Sequence, residues 1–204
     1  MSFSSADSCS DDERERWNRK YSEASCARTA PDAFLPLAFS RYIRPLFPGG
    51  GKALDLAGGA GRHAIWLAKR GWDVTLIDLS ETGVEVARQQ AGPLASHIHF
   101  VVDDLTRFTA SQTLLESGFN LVTAFFYLER AIFGEIVNSM RPGGLLVYKT
   151  FTSARAKGAR GPSNPAHLLA AGELLRLAAG LRVLHYREEA GARATAELVA
   201  KREG

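Results

Sequence analysis

The sequence predicts an α/β fold, a doubly wound and mostly parallel sheet, on three observations. Lys52–Ser80, reading KALDLAGGAGRHAIWLAKRGWDVTLIDLS, has the pattern strand, glycine turn, helix, strand. Strand-length apolar runs then alternate with helix-length segments as far as Phe151. Two further strand-like segments around Gly191 close the chain as a hairpin.

Taken in order, Met1–Ser10 is small and polar and is expected to be disordered. Residues 11–204 are expected to form one domain, with 11–47 helical and 52–204 the core. Asp11–Tyr21 opens with acids suited to a helix N-terminus and sets Trp17 and Tyr21 four apart on one face. Ser22–Pro31 reads as a linker, Asp32–Pro45 as a second short helix, and Pro48–Gly51 as the hinge into the first strand. Ala53–Ala57 is an apolar run closed by Gly58, Gly59 and Gly61, a buried parallel strand entering a tight turn. Arg62–Arg70 is helical and Gly71 stops it; Trp72–Asp78 is the second strand. Ser80 caps a helix running to about Ala91, which Gly92-Pro93 breaks. His97–Val102 is the third strand, Thr106–Ser117 a helix, and Phe119–Phe125 the fourth strand. Met140–Gly144 is a turn leading to the fifth strand, Leu145–Phe151. Thr152–Pro165 is a long basic loop with Arg155, Lys157 and Arg160, either an anion-binding loop or a solvated surface. His167–Ala179 is expected to be largely helical, and Leu181–Glu188 and Ala192–Lys201 form the hairpin.

An open parallel sheet binds its ligand at the carboxyl ends of the strands, so the glycine turn and its flanking acids decide which ligand. Gly59-Ala60-Gly61-Arg62-His63-Ala64 is an allowed variant of the dinucleotide fingerprint. Asp55 argues against a dinucleotide: a carboxylate there repels a pyrophosphate but orients the ammonium of an amino-acid moiety. Asp78, 23 residues further on, can accept both hydroxyls of a ribose. A ligand with a ribose and a cationic amino-acid end is S-adenosylmethionine. On these residues the chain resembles the class I S-adenosylmethionine-dependent methyltransferases. The resemblance runs from about Glu13 to the end and implies a Rossmann-like, seven-stranded sheet with an antiparallel last strand. It also implies cofactor contacts at Asp55, Ala57, Gly58, Gly59, Gly61, Arg62, Asp78, Leu79 and Phe125. An acid after the third strand reads the adenine amino group in that family; Asp104, followed by Leu105, matches better than Asp103, and either fits. Trp17-Asn18-x-x-Tyr21 matches a segment that forms part of a lid beside the cofactor in similar small methyltransferases; pinning a helix onto the domain is the plainer reading. Tyr127 and Arg130, beyond the fourth strand, fall where acceptor and methyl would meet, so with Trp17 and Tyr21 they are the substrate-pocket candidates. The chain looks most like the small tellurite-resistance and thiopurine-methyltransferase-like group, in which soft nucleophiles such as thiols or reduced metalloids accept the methyl. Two departures stand out: Gly58 replaces the usual cysteine of D-L-A-C-G-x-G-R, and Asn120 replaces a usual aspartate.

Composition narrows the reading. With 204 residues, 46% of them apolar, the chain can bury a full core. The formal charge is +3, with an excess of four cations from Phe151 onward. Cys9 and Cys26 are the only cysteines, without a C-x-x-C pair, which favours free thiols in a reducing, cytoplasmic setting. No apolar run reaches membrane-spanning length, and the polar start is unlike a signal peptide. His97 and His99 share a strand face without a third ligand, so no metal is expected. Phe125-Phe126-Tyr127-Leu128 stands where amine methylases of nucleic acids carry [DN]-P-P-[YFW], and both cysteines precede the first strand, so a nucleic-acid substrate is not expected. The expected enzyme is an S-adenosylmethionine-dependent methyltransferase acting on a small molecule, as a monomer or homodimer. The alternatives are a nicotinamide-dependent oxidoreductase and a binding module that holds S-adenosylmethionine without turnover.

Overall fold

In the computed structural model, which describes residues 5–23, 29–107, 118–154, 161–162 and 164–204, seven strands form one sheet. They are β1 (Lys52–Leu56), β2 (Asp73–Asp78), β3 (Ile98–Val102), β4 (Phe119–Phe125), β5 (Met140–Phe151), β6 (Leu181–Glu189) and β7 (Thr195–Arg202), in the order β3-β2-β1-β4-β5-β7-β6. Strands β1 to β5 are parallel; β7 inserts antiparallel between β5 and β6. The order turns back between β1 and β4, and a crevice at the carboxyl ends of the strands follows from that reversal.

Each face of the sheet has its own apolar layer. One joins the odd side of β1 and β5 (Ala53, Leu145, Val147) to α2 (Phe34–Ala38), α4 (Arg62–Ala68) and α5 (Glu81–Ala91). The other joins Leu54, Leu56, Leu146 and Tyr148 to α6 (Phe133–Ser139) and α7 (Glu173–Leu177). The period-2 alternation along each strand sends successive residues to opposite layers. Beyond α2 the chain continues through a π-helical turn, Phe39–Ile43, into α3 (Arg44–Leu46), so the second helix of the sequence is one bent rod.

Three expectations need correction. Helix α1 spans Ser5–Ser22, so it starts before Asp11, where the acids were expected to open it. His167–Ala179 is not one helix: a 3₁₀ turn covers Pro165–His167 and α7 starts only at Glu173. Between them Leu169 is drawn to the sheet, its N–H donating to the Phe151 carbonyl at 3.0 Å and its carbonyl accepting from Ser153 N–H at 2.8 Å. Finally, the Met140–Gly144 turn is a bulge inside β5, where the register with β4 jumps between Phe119↔Met140 and Leu121↔Leu145. The helix expected over Thr106–Ser117 begins with a 3₁₀ turn at Leu105–Arg107 and otherwise lies outside the described residues. So do Arg155, Lys157 and Arg160 of the basic loop and Cys26. Asn120 keeps the function an aspartate would have as an acceptor, since its Oδ1 takes the Lys52 N–H at 3.1 Å and so fixes the start of β1.

Candidate active site

Three buried carboxylates stand at the carboxyl ends of β1, β2 and β3. Asp55 is held from both sides: the Thr123 hydroxyl donates to Oδ1 at 2.7 Å, and the Ala64 N–H, in the first turn of α4, donates to Oδ2 at 3.2 Å. Burial pushes this carboxyl up to about 7, against the opposing effect of those donors. Asp78 accepts one backbone N–H on each oxygen, from Gly59 on Oδ2 and Ser80 on Oδ1, both at 2.8 Å. Burial raises its pKa as well. Asp104, 8% exposed, accepts from the Thr106 N–H and hydroxyl at 2.9 and 2.7 Å, while Asp103 accepts the Asp104 N–H at 2.8 Å. The more buried of the two is the one whose pattern matched the adenine reader.

Between the first two acids the turn is tight. Gly58 N–H donates to the Ile77 carbonyl and Gly61 N–H to the Gly58 carbonyl, while Ala57, Gly59 and Gly61 all have positive φ. A Cβ on Gly58 would meet Leu76 Cγ at 2.7 Å and Asp55 Oδ2 at 3.0 Å, so the cysteine found in similar chains would not fit without Leu76 moving. Gly59 has φ of +54°, and a Cβ there would lie 2.1 Å from the Tyr21 hydroxyl. Tyr21 also covers Gly83, where a Cβ would fall 2.8 Å from its ring. Helix α1 is therefore seated on the glycine turn and on α5. Asn18 Oδ1 accepts the Ser80 hydroxyl at 2.6 Å and the Thr82 N–H at 3.2 Å, and Trp17 stacks on Tyr21 with centroids 5.9 Å apart. Leu79 joins the two halves of this arrangement, between Asp78 and Ser80.

Past β4 the chain turns sharply. Phe126 has φ of +61°, a conformation bulky residues rarely hold, fixed by its N–H donating to the Lys149 carbonyl at 2.7 Å. Its ring lies 5.1 Å from Phe151, with the Arg62 guanidinium 5.7 Å and the Lys149 ammonium 6.0 Å from its centroid. Phe125 stacks on His63 at 4.1 Å. Burial holds His63 down to about 3, so its neutral ring accepts the Asp32 N–H at Nε2. Arg130, expected at the substrate pocket, does not join this group: its guanidinium bonds Glu173 at 2.6 and 3.1 Å and the carbonyls of Ala166 and Leu168. It braces the loop before α7.

Thr123 is the residue sequence reasoning missed. Its signal was a lone hydroxyl in the apolar run Leu121–Phe125, and the register Asp55↔Thr123 brings it to the acid. A cavity of about 400 Å³ lies at the opposite, amino edge of the sheet, lined by Lys52, Asp73, His97 and His99 among others, away from all three buried acids. Among the described residues no group of three or more His, Cys, Asp or Glu side chains is placed to hold a metal, and no helix is long and apolar enough to cross a membrane.

Comparison with known proteins agrees with this geometry. Residues 53–144 match the family model described as a methyltransferase domain. The putative methyltransferase YqeM of Bacillus subtilis is 28% identical over 120 residues, which is 56% of this chain and 48% of that protein. The chain thus spans about half the length of that curated relative. Among solved structures, TehB from Haemophilus influenzae superposes with a TM-score of 0.69 at 16% identity, covering 92% of this chain and 67% of that one. The N-methyltransferase NodS from Bradyrhizobium japonicum, in complex with S-adenosyl-L-homocysteine, gives 0.68 at 17% identity, covering 94% and 98%. The seven-stranded order with its antiparallel insertion is thus a fold this chain shares with those methyltransferase structures, and residues 53–144 are the part similar to the methyltransferase-domain model.

Proposed function

We propose that this class I methyltransferase fold binds S-adenosylmethionine at the carboxyl edge of β1–β4 and passes its methyl group to a small, soft nucleophile. The observation that carries the reading is the set of acids around the glycine turn: Asp55, Asp78 and Asp104 are buried together with glycines that leave no room for side chains. Buried carboxylates are costly, and the neutral donors that hold these three supply hydrogen bonds but no opposite charge. A ligand with an ammonium, a ribose and an adenine amino group offers each of them a donor.

When bound, S-adenosylmethionine supplies a methyl on a cationic sulfur, which is already electrophilic. The chain's own work is then to orient and to exclude water. Asp55 takes the ammonium, Asp78 the ribose hydroxyls and Asp104 the base, with Ala57, Gly58, Gly59, Gly61 and Leu79 presenting backbone. Helix α1 acts as a lid through Asn18 and Tyr21. Phe126 and Phe151, with the Arg62 guanidinium 5.7 Å from the Phe126 centroid, form the wall of the acceptor chamber, an aromatic surface that suits a small polarisable acceptor. His63 is neutral and already holds Asp32, so it is not the general base; an acceptor that arrives deprotonated, such as a thiolate or a reduced metalloid anion, fits a site without one.

Calorimetric titration with S-adenosylhomocysteine, NAD and NADP tests the cofactor. Binding of the first alone is expected, with Asp78→Ala losing it while the circular dichroism of the fold is kept. Binding of a nicotinamide nucleotide instead, or unchanged affinity in Asp78→Ala, would overturn the assignment.

A further inference from the structure

A buried hydroxyl ordinarily finds a hydrogen-bond partner. Tyr148 follows the rule: it is fully buried and its Oη donates to the Tyr127 carbonyl at 2.7 Å. Tyr127 does not. Its own hydroxyl oxygen is sealed from solvent, yet no partner among the described residues lies within hydrogen-bond distance. The ring packs on the layer that contains Leu56 and Leu105, alongside Ala57 and Val101. Tyr127 stands two residues beyond the end of β4, which lies beside β1, and it feels the Asp104 carboxylate, so this side chain belongs to the carboxyl edge that holds the glycine turn and the end of β3. Burial keeps the phenol protonated, and the carboxylates of Glu129, Asp104 and Glu13 act in the same direction. The group is a donor in want of an acceptor.

We propose that Tyr127 is a cofactor-positioning residue whose hydroxyl donates to a ring nitrogen of the bound adenine moiety, beside Asp104. The inference rests on the cofactor reading above and moves Tyr127 from the acceptor chamber to the base pocket. The chemistry is complementary. Adenine carries an amino donor for a carboxylate and ring nitrogens that accept, so an acid and a phenol together read two features of the base. A neutral ring nitrogen also relieves the unpaired donor without adding another negative charge to a region that already holds three carboxylates.

Tyr127→Phe removes the hydroxyl and keeps the ring. Wild type and variant are titrated with S-adenosylhomocysteine and with adenosine, and the ligand-free proteins are melted. The expected result is about tenfold weaker binding of both ligands with a ligand-free melting temperature equal to or above that of wild type, since a buried unpaired hydroxyl has gone. A merely structural hydroxyl would lower the melting temperature, and that outcome overturns the proposal. Equal affinity for both ligands overturns it too, as does a loss confined to S-adenosylhomocysteine, which would put the hydroxyl at the amino-acid end. If wild type binds neither ligand, it is the cofactor reading itself that fails.

Discussion

Asp55 titrates close to neutrality because burial outweighs its two donors, and that has consequences of opposite sign for stability and for binding. In the ligand-free protein its carboxyl sits at about 7 against 3.8 for the unperturbed group, so folding favours the protonated form. Its contribution to stability is complete below pH about 4 and is lost as pH rises through about 7. A bound ammonium reverses the preference by stabilising the carboxylate. Affinity for S-adenosylhomocysteine should therefore rise between pH about 6 and about 8 as Asp55 ionises, with proton release on binding below that range's midpoint. Asp55→Asn should bind more weakly and lose the part of this dependence that wild type owes to Asp55, and between pH about 4 and about 7 its melting temperature should fall less steeply than that of wild type. His63 contributes a slope of the other sign, since its depressed pKa gives stability that is lost as pH falls from about 6.5 toward about 3. Both proteins share that slope, so comparing them at each pH isolates Asp55. Asp55, Asp78 and the glycines were legible in the sequence because one contiguous β-α-β unit sets their spacing. Thr123 and the unpaired Tyr127 hydroxyl were not: the first depends on pairing β4 with β1, 68 residues back along the chain, and the second on the absence of a partner among the described residues, which no spacing records.

Helix α1 shows the same division at the scale of an element. Trp17 and Tyr21 mark an apolar face in the sequence, and four-residue spacing makes them neighbours. Which surface receives that face is set by α5: the Ser80 side chain caps α5 by accepting the Gly83 N–H at 3.0 Å and donates a hydrogen bond from its own hydroxyl to Asn18 Oδ1. One asparagine oxygen thus links α1 to the cap of α5, directly after Asp78. Asn18→Ala should release the helix at a cost of about 1–2 kcal/mol, read as faster amide exchange across α1 with little change in the sheet. If α1 closes over the cofactor, saturating S-adenosylhomocysteine should slow that exchange again in wild type more than in Asn18→Ala. The failed helix over His167–Ala179 has the complementary cause. Its sequence has helical periodicity, but the Phe151 and Ser153 backbone claims Leu169, and Gly172, at φ of +66°, resets the chain before α7 can start.

Across the whole molecule, one ammonium fastens three distant parts of the chain at the carboxyl edge. Lys149 Nζ lies 2.9 Å from Asp32 Oδ1, in the segment before α2, and 2.9 Å from Glu197 Oε1, its cross-strand neighbour on β7. The three side chains are between 12% and 16% exposed, so water screens the group poorly. Asp32 is further tied down by accepting the Phe34 N–H at 3.0 Å and by donating its own N–H to His63. Burial alone would raise the Asp32 carboxyl, but the Phe34 N–H and the Lys149 ammonium together hold it below the ordinary value. A depressed acid of this kind stabilises the fold above its unfolded pKa, and the stability is lost as pH falls through the folded one. Lys149→Met keeps the bulk of the side chain and leaves both carboxylates without the ammonium that pairs them. At neutral pH the variant should lose roughly 3 kcal/mol in urea unfolding, the lower end of what breaking a buried pair costs. The gap from wild type should narrow toward pH about 4, where the orphaned acids take up protons. Adding Glu197→Gln should recover part of the loss by removing one of the two charges, whereas a purely packing role for Lys149 would leave the deficit independent of pH and of Glu197. Because Lys149 also stands 6.0 Å from the Phe126 ring, the same variant should perturb acceptor turnover more than S-adenosylhomocysteine affinity, separating the network from the cofactor pocket one strand away.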